Sequence, residues 1–269
     1  SVVTWGHDEY GGDSSNIQHQ LQEVRHVHST DQAFAAILST GRVVAWGLHQ
    51  WGGDCPTVQG LRDVQRLEAT AGAFAALSDG RVATWGHADF GGDSASVANL
   101  LTDVKEVKAN MRAFAALLST GSVITWGHPR YGGDSSEVQH LLIDVERIHP
   151  SKGGAFAAVL ANGTVVTWGL PAYGGDSSAV QPLRNVRQVQ ATSGAFAATV
   201  SDGSIVTWGD SRYGGDSSGV HDRLRNVQQI HSTSRAFAAI LMDGQVVTWG
   251  DFGFGGNCNR VREQFTLMS

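Results

Sequence analysis

Lysine is almost missing from this chain: Lys105, Lys108 and Lys152 are the only three in 269 residues. Lys and Arg together number 19 against 25 Asp and Glu, a formal net charge of −6, and no stretch concentrates the cations. Nucleic-acid binding needs clustered positive side chains to neutralise phosphates, so neither DNA nor RNA is an expected partner. Cysteine is as scarce. Cys55 and Cys258 are too few for a disulfide framework and lack the spacing of metal ligands, so a reducing or redox-indifferent compartment is expected. They stand in "GGDC" and "GGNC", where other copies of the motif carry Ser, and read as Ser replacements. No apolar run approaches the roughly 18 to 20 residues of a membrane-spanning helix, and no membrane insertion is expected. A signal-peptide pattern is also absent, and the chain opens in mid-motif at "SVVTWG". That reads as a processed or excised product of intracellular location, in the cytoplasm or in an organelle after processing. Ser is plentiful, yet no Walker loop or dinucleotide fingerprint occurs.

What the chain has instead is repetition. Apart from Trp51 of "WGGD", Trp followed by Gly occurs at Trp5, Trp46, Trp85, Trp126, Trp168, Trp208 and Trp249, in steps of 41, 39, 41, 42, 40 and 41 residues. The Phe of "AFAA" recurs at Phe34, Phe74, Phe114, Phe156, Phe196 and Phe237, and an aromatic followed by Gly-Gly-Asp, finally Gly-Gly-Asn, recurs seven times. Residues 1–269 therefore read as one repeat-built domain. It comprises a half-unit 1–15, repeats at about 24–62, 63–102, 103–143, 144–184, 185–225 and 226–259, and a tail 260–269.

Within a repeat, "VRHVH" (24–28) alternates apolar and polar residues and predicts a half-exposed strand. "AFAAIL" is apolar on both faces and predicts a buried one. The dipeptides "DG", "TG" and "NG" predict a tight turn, with "VVTWG" as the returning strand. A fourth short strand is expected at "YGGDSS", and "SSNIQ", "SSEVQ" and "SSAVQ" read as capping boxes opening a helical turn. Three or four short antiparallel strands in about 41 residues match one propeller blade. One blade cannot cover both faces of "AFAAIL", so each copy must be the next copy's core. The expected fold is all-β, a β-propeller. With seven "WG" segments and six "AFAA" strands, seven blade positions with one composite or incomplete blade are favoured over six.

The order of landmarks in "LSDGRVATWGHADFGGD" (77–93) and "VSDGSIVTWGDSRYGGD" (200–216) resembles the repeats of the regulator of chromosome condensation family. The resemblance spans essentially the whole chain. Family repeats are usually longer, with Gly-His before the hydrophobic strand and Gln-Leu-Gly after the aromatic-Gly; here "AFAA" and "GGD" stand instead. The compact form is similar to repeats in proteins labelled as HECT-type ubiquitin ligases, in which the propeller recruits partners and a separate domain catalyses. The exchange activity of the founding family member implies a loop insertion for which the near-constant spacing leaves no room. The plant ultraviolet-B photoreceptor of similar fold carries tryptophans in a Gly-Trp-Arg-His-Thr setting that is absent here.

Position decides how the notable side chains are read. The Trp-Gly tryptophans and the "AFAA" phenylalanines, held at fixed places in strands, are expected in the core between repeats rather than as a chromophore or stacking platform. Asp13, Asp54, Asp93, Asp134, Asp176 and Asp216 give one carboxylate per repeat, a turn and cap device before a cation ring. The eleven histidines, among them His26 and His28 on one strand, offer no third ligand and read as solvated loop residues. No catalytic, cofactor-binding or metal residue is assigned, and the chain is not expected to be an enzyme. The residues after "WG" and before "AFAA" differ from copy to copy, and loops on a rigid scaffold are where recognition resides. Trp51, Arg112, Arg130, Arg212 and Arg235 are the expected partner contacts. The expected function is a non-catalytic scaffold that binds a protein through its rim loops, perhaps within a larger assembly. A repeated small-molecule or glycan site near "WGxxxYGGD", or the substrate-recruiting module of a ubiquitin ligase, are the alternatives.

Overall fold

The "AFAA" segment of every repeat becomes the middle strand of a three-stranded antiparallel sheet, in a computed structural model that describes residues 2–55 and 61–258. These residues group into two compact units, Ser1–Ser135 and Ser136–Ser269. In the first unit the sheets are β1 (Val24–Ser29), β2 (Ala33–Leu38) and β3 (Val43–Gly47); β4 (Val64–Ala69), β5 (Ala73–Ser78) and β6 (Arg81–Gly86); and β7 (Val104–Ala109), β8 (Ala113–Leu118) and β9 (Val123–Gly127). In the second they are β10 (Val145–Ser151), β11 (Ala155–Leu160) and β12 (Val165–Gly169); β13 (Val186–Ala191), β14 (Ala195–Val200) and β15 (Ile205–Gly209); and β16 (Val227–Ser232), β17 (Ala236–Leu241) and β18 (Val246–Gly250). No helix among the described residues is long and apolar enough to cross a membrane.

Register explains the side-chain choices. Phe34 pairs with Trp46, and Phe74, Phe114, Phe156, Phe196 and Phe237 pair likewise with the tryptophan of their own sheet. Each such pair stacks at 5.1 to 5.4 Å between ring centroids. The alanines do what the pattern required. Ala33, Ala35 and Ile37 of one sheet share a core with Leu67, Phe74, Ala76 and Trp85 of the next. In the second unit Ala195 and Ala197 share one with Ile230, Phe237, Ala239 and Trp249. A larger residue at either alanine would hold neighbouring sheets apart, so small residues on both faces set their spacing.

Main-chain bonds repeat the same relation. The turn glycine carbonyls of Gly41 and Gly80 accept from Val64 N and Val104 N of the following sheet at 3.0 and 2.8 Å, and those of Gly163 and Gly203 from Val186 N and Val227 N at 3.0 and 3.1 Å.

Four expectations are corrected. The first strand does not alternate simply: a β-bulge after its first residue, as between Val24 and His26, turns two apolar residues three apart, such as Val64 and Leu67, to the same buried side. "YGGDSS" forms no fourth strand; the aromatic closes a 3-10 turn, as in Pro171–Tyr173, and the glycine after it is left-handed. At Ser14 and Ser177 the serines make no capping box. Ser14 Oγ donates to Gln18 Oε1 and Gln181 Nε2 donates to Ser177 Oγ, side chain to side chain, each at 2.9 Å. Six sheets are found among the described residues, the blade count of the alternative reading, and the fourth correction concerns the half-unit. Residues 2–5 of the half-unit form no strand and Trp5 is 83% exposed, so it is no core residue; among the described residues the two strands that bury the other tryptophans have no counterpart beside it. The tail 260–269 lies outside the described residues.

Candidate functional site

Three glycines per repeat anchor the turn that carries the variable residues. Gly52 and Gly91 have φ near +90°, and a Cβ on either would meet the Phe ring of the following sheet at 2.6 to 2.7 Å. Freed of a side chain, the turn brings its carbonyl to the next tryptophan: Trp46, Trp85 and Trp126 donate Nε1–H to Gly11, Gly52 and Gly91 at 3.1 Å. In the second unit Trp208 and Trp249 donate to Gly174 and Gly214 at 3.1 and 3.0 Å. The aromatic before that glycine is tied to its own sheet by an oxygen- or amide-bearing residue that opens "AFAA". Thr70 Oγ1 donates to Phe90 O at 2.9 Å, Asn110 Nδ2 to Tyr131 O at 2.7 Å, and Thr192 Oγ1 to Tyr213 O at 3.0 Å. The sequence shows this column as Thr30, Thr70, Asn110, Ser151, Thr192 and Thr233, and it went unread because its partner lies about twenty residues away.

A second couple lies beneath. The Ser after Gly-Gly-Asp meets the Thr before Trp, as in Thr167–Ser177 at 2.9 Å and Thr207–Ser217 at 3.1 Å. Where Cys55 replaces Ser, Ala45 replaces Thr, and burial pushes the Cys55 thiol up from its ordinary value. Opposite Cys258 the threonine remains, and Thr248 Oγ1 is buried without a partner among the described residues.

The expected contact residues separate into two kinds. Arg130 and Arg212 are exposed on turns. Arg212 is committed locally: its guanidinium makes a two-pronged contact with Asp210, Nη2 to Oδ2 at 2.7 Å, and this arginine holds the Asp210 carboxyl below its usual range. Arg112 and Arg235 instead lie over aromatic rings, Arg112 between Phe90 and Tyr131 and Arg235 between Tyr213 and Phe254. The corresponding position in two other repeats is Gly72 or Gly194, and there the aromatics touch directly, Trp51 on Phe90 at 5.2 Å and Tyr173 on Tyr213 at 6.0 Å. A Cβ on Gly72 would be 2.9 Å from Phe90. Adjacent aromatics thus close on each other over glycine or clamp a guanidinium. Trp51 is half-buried in this packing.

Beside it opens a cleft of about 500 Å³ lined by His49, Gln50, Asp54, Trp85 and His87. His49 Nδ1 lies 3.5 Å from Asp54 Oδ2, and His87 Nδ1 accepts from Asp89 N, which fixes the neutral tautomer with its proton on Nε2. His49 and Gln50 have no equivalents in the other turns, so this lining is not repeated. The Asp column does cap turns: Asp13, Asp93, Asp176 and Asp216 accept from the backbone N two residues on at 2.8 to 2.9 Å. At Asp13, Asp176 and Asp216 that bond is the largest cause of a lowered pKa. On the first strands of the first unit, Lys108 Nζ meets Glu106 at 2.6 Å with Arg66 at 3.9 Å, and burial pushes Glu68 upward. Burial, and then the neighbouring His26, hold His28 below its ordinary value. No group of three metal-ligating side chains occurs among the described residues.

No family model and no curated protein matches the chain. Solved structures do. Yeast RCC1 (Prp20), determined bound to Kap60, is 15% identical over 88% of this chain and 72% of that one, with a TM-score of 0.50. Prp20p from Saccharomyces cerevisiae, studied with its binding to Gsp1p and histones, gives 15%, 88%, 74% and 0.50. Human WBSCR16 gives 15%, 86%, 77% and 0.50. This likeness shows the fold: an all-β, RCC1-like β-propeller.

Proposed function

We propose that the chain is a non-catalytic interaction module that binds a protein through the turns between "WG" and the aromatic-Gly-Gly. One observation carries the reading. The residues that hold each turn, the Trp Nε1–Gly carbonyl bond and the Thr–aromatic carbonyl bond, recur from sheet to sheet, while the outward residues His49-Gln50, Ala88-Asp89, Pro129-Arg130 and Ser211-Arg212 all differ. A rigid frame with unlike side chains at each station suits one extended, irregular partner surface better than a set of identical ligands. Structures of the same fold point the same way, since yeast Prp20 has been determined with Kap60 bound and its binding to Gsp1p and histones measured. Recruitment for a ubiquitin ligase is one form of this role, and it would be recognised by a catalytic subunit among the partners.

Crosslinked capture with the wild-type chain and with the double variant Arg130→Glu/Arg212→Glu tests the reading. Both side chains are exposed and the Arg212–Asp210 pair lies at the surface, so the variant should fold as the wild type does and melt only slightly below it. Stoichiometric proteins held by the wild type and reduced at least about fivefold by the variant are expected. Captured proteins that hold equally well to both would exclude these turns as the binding face. The cleft beside Trp85 favours a small-ligand reading as the second choice. Saturable heat with a glycan, and no protein captured, would put that reading first.

A further inference from the structure

Arg112 and Arg235 are built alike and end differently. Arg112 Cζ lies 4.7 Å from the Phe90 centroid and 5.2 Å from that of Tyr131; Arg235 Cζ lies 4.8 Å from Phe254 and 5.1 Å from Tyr213. Held against two rings, a guanidinium uses its N–H donors best at its in-plane edge. At Arg235 that edge faces a carboxylate of the same repeat, Asp251 Oδ2, 3.6 Å from Nη1. In the Arg112 repeat the residue after Trp-Gly is His128, and no carboxylate stands there. The Arg112 side chain has neither a hydrogen bond nor an ion pair among the described residues, and its Nε is buried without a partner. His128 Nδ1 is also buried without a partner, its ring set edge-on to Tyr131 at 5.0 Å. His128 N donates to Arg112 O at 3.0 Å, which fixes the two residues side by side. Arg130, two residues along, adds an exposed cation with no ion pair among the described residues.

An arginine cannot shed its charge, and stacked between rings it cannot swing away to find a partner elsewhere. The site is therefore pre-organised for an anion and holds none of its own among the described residues. Asp251 shows which anion fits: its carboxylate stands at ion-pair distance, 3.6 Å, from the Arg235 guanidinium. We propose that Arg112 is a carboxylate-recognition site, and that an Asp or Glu side chain of a protein partner takes beside Arg112 the place that Asp251 takes beside Arg235. The inference rests on the protein-binding reading above and narrows it to one residue chemistry at one station.

The arginine Nε–H resonances of the full chain read this directly, with Arg235 as internal control. Titration with the blocked peptide acetyl-Gly-Glu-Gly-Glu-Gly-amide should shift the Arg112 resonance saturably and leave Arg235 in place, while the Gln counterpart should move neither. His128→Asp, which gives the repeat the carboxylate that its sister already has, should weaken peptide binding at least tenfold with no loss of melting temperature. Arg112→Gln should abolish binding; because that change also unstacks two rings, His128→Asp is the deciding variant. Undiminished binding by His128→Asp, an equal shift at Arg235, or an equal loss in Arg130→Gln would overturn the assignment. So would acetate that, at matched carboxylate, moves Arg112 as far as the peptide, since the ligand would then be a free small anion. An unmoved Arg112 beside successful protein capture sinks this site alone and leaves the broader reading standing.

Discussion

Residues 2–15 and 246–258 spell nearly the same motif and come to opposite ends. "VVTWG" at 246–250 is strand β18, Trp249 pairs with Phe237, donates to Gly214 O and is 4% exposed. "VVTWG" at 2–6 is no strand, and Trp5 is 83% exposed. The second half of the motif folds alike in both. Gly11 and Gly255 have φ of 93° and 100°, and Gly12 N and Gly256 N reach back to the residue after "WG" at 2.9 and 2.8 Å. Turn chemistry is local and survives alone; strand and tryptophan burial belong to the stack of sheets and arise only where an "AFAA" strand is present to receive them.

Tryptophan truncation should break the comparison most visibly. Trp249→Ala removes a buried ring and its hydrogen bond and should cost about 3 to 5 kcal/mol, whereas Trp5→Ala should stay within about 0.5 kcal/mol. Urea unfolding of the two variants reads the difference, and an equal loss from Trp5→Ala would show that its environment had been misjudged. The glycines come next. Gly6 (φ +119°) and Gly214 (φ +90°) both lie where a side chain strains the backbone, by about 1 to 3 kcal/mol. A Cβ on Gly214 would also meet the Phe237 ring at 2.7 Å, while one on Gly6 would meet nothing within 4 Å. Gly214→Ala should therefore melt well below Gly6→Ala.

How much was legible follows the same division. The 41-residue period, the double-faced "AFAA" strand and the Trp and Phe core could be read because each is a column of identical letters, with Trp5 the one column member that the structure removes from the core. The bulge after Val24 was hidden because Val24 and Val27 imitate alternation closely enough to pass as it. The fourth strand was misread at "YGGDSS" because a pair of glycines signals close backbone approach without saying whether a strand or a 3-10 turn makes it. Of the candidate contacts, Arg130 and Arg212 are exposed turn residues. What could not be read was that Arg112 and Arg235 pass between aromatics, since Phe90 and Tyr213 lie about twenty residues upstream.

The cysteines sharpen the contrast at a smaller scale, because one sits in a matched pair and the other does not. Cys258→Ser would offer the buried Thr248 hydroxyl the partner that Thr207 has in Ser217, and should gain about 1 kcal/mol. Cys55→Ser would place a hydroxyl opposite Ala45, which offers no side-chain oxygen, and should lose a similar amount. Thermal melts of the two variants should move in opposite directions. Equal signs would mean that the serine–threonine couple is incidental to stability.

The smallest expected effect tests whether the half-unit's turn is as complete as that of a full repeat. Asp13 and Asp216 each accept a backbone N–H at 2.8 Å, from Ser15 and Ser218, and each carboxyl is held below 3.8, first by that bond and then by the serine hydroxyl. A carboxyl with a depressed folded pKa contributes stability that is fully present above its unfolded value, near 3.8, and is lost as pH falls through the folded one. Between about pH 5 and 2, the amide resonances of Ser15 and Ser218 should report these two titrations separately, both with midpoints under 3.8. Asn at either position keeps the acceptor oxygen and should erase the titration while leaving the turn intact. If Ser15 instead followed a midpoint at the ordinary carboxyl value while Ser218 did not, the turn would need its sheet, and the separation of local turn from collective strand would fail at its first residue.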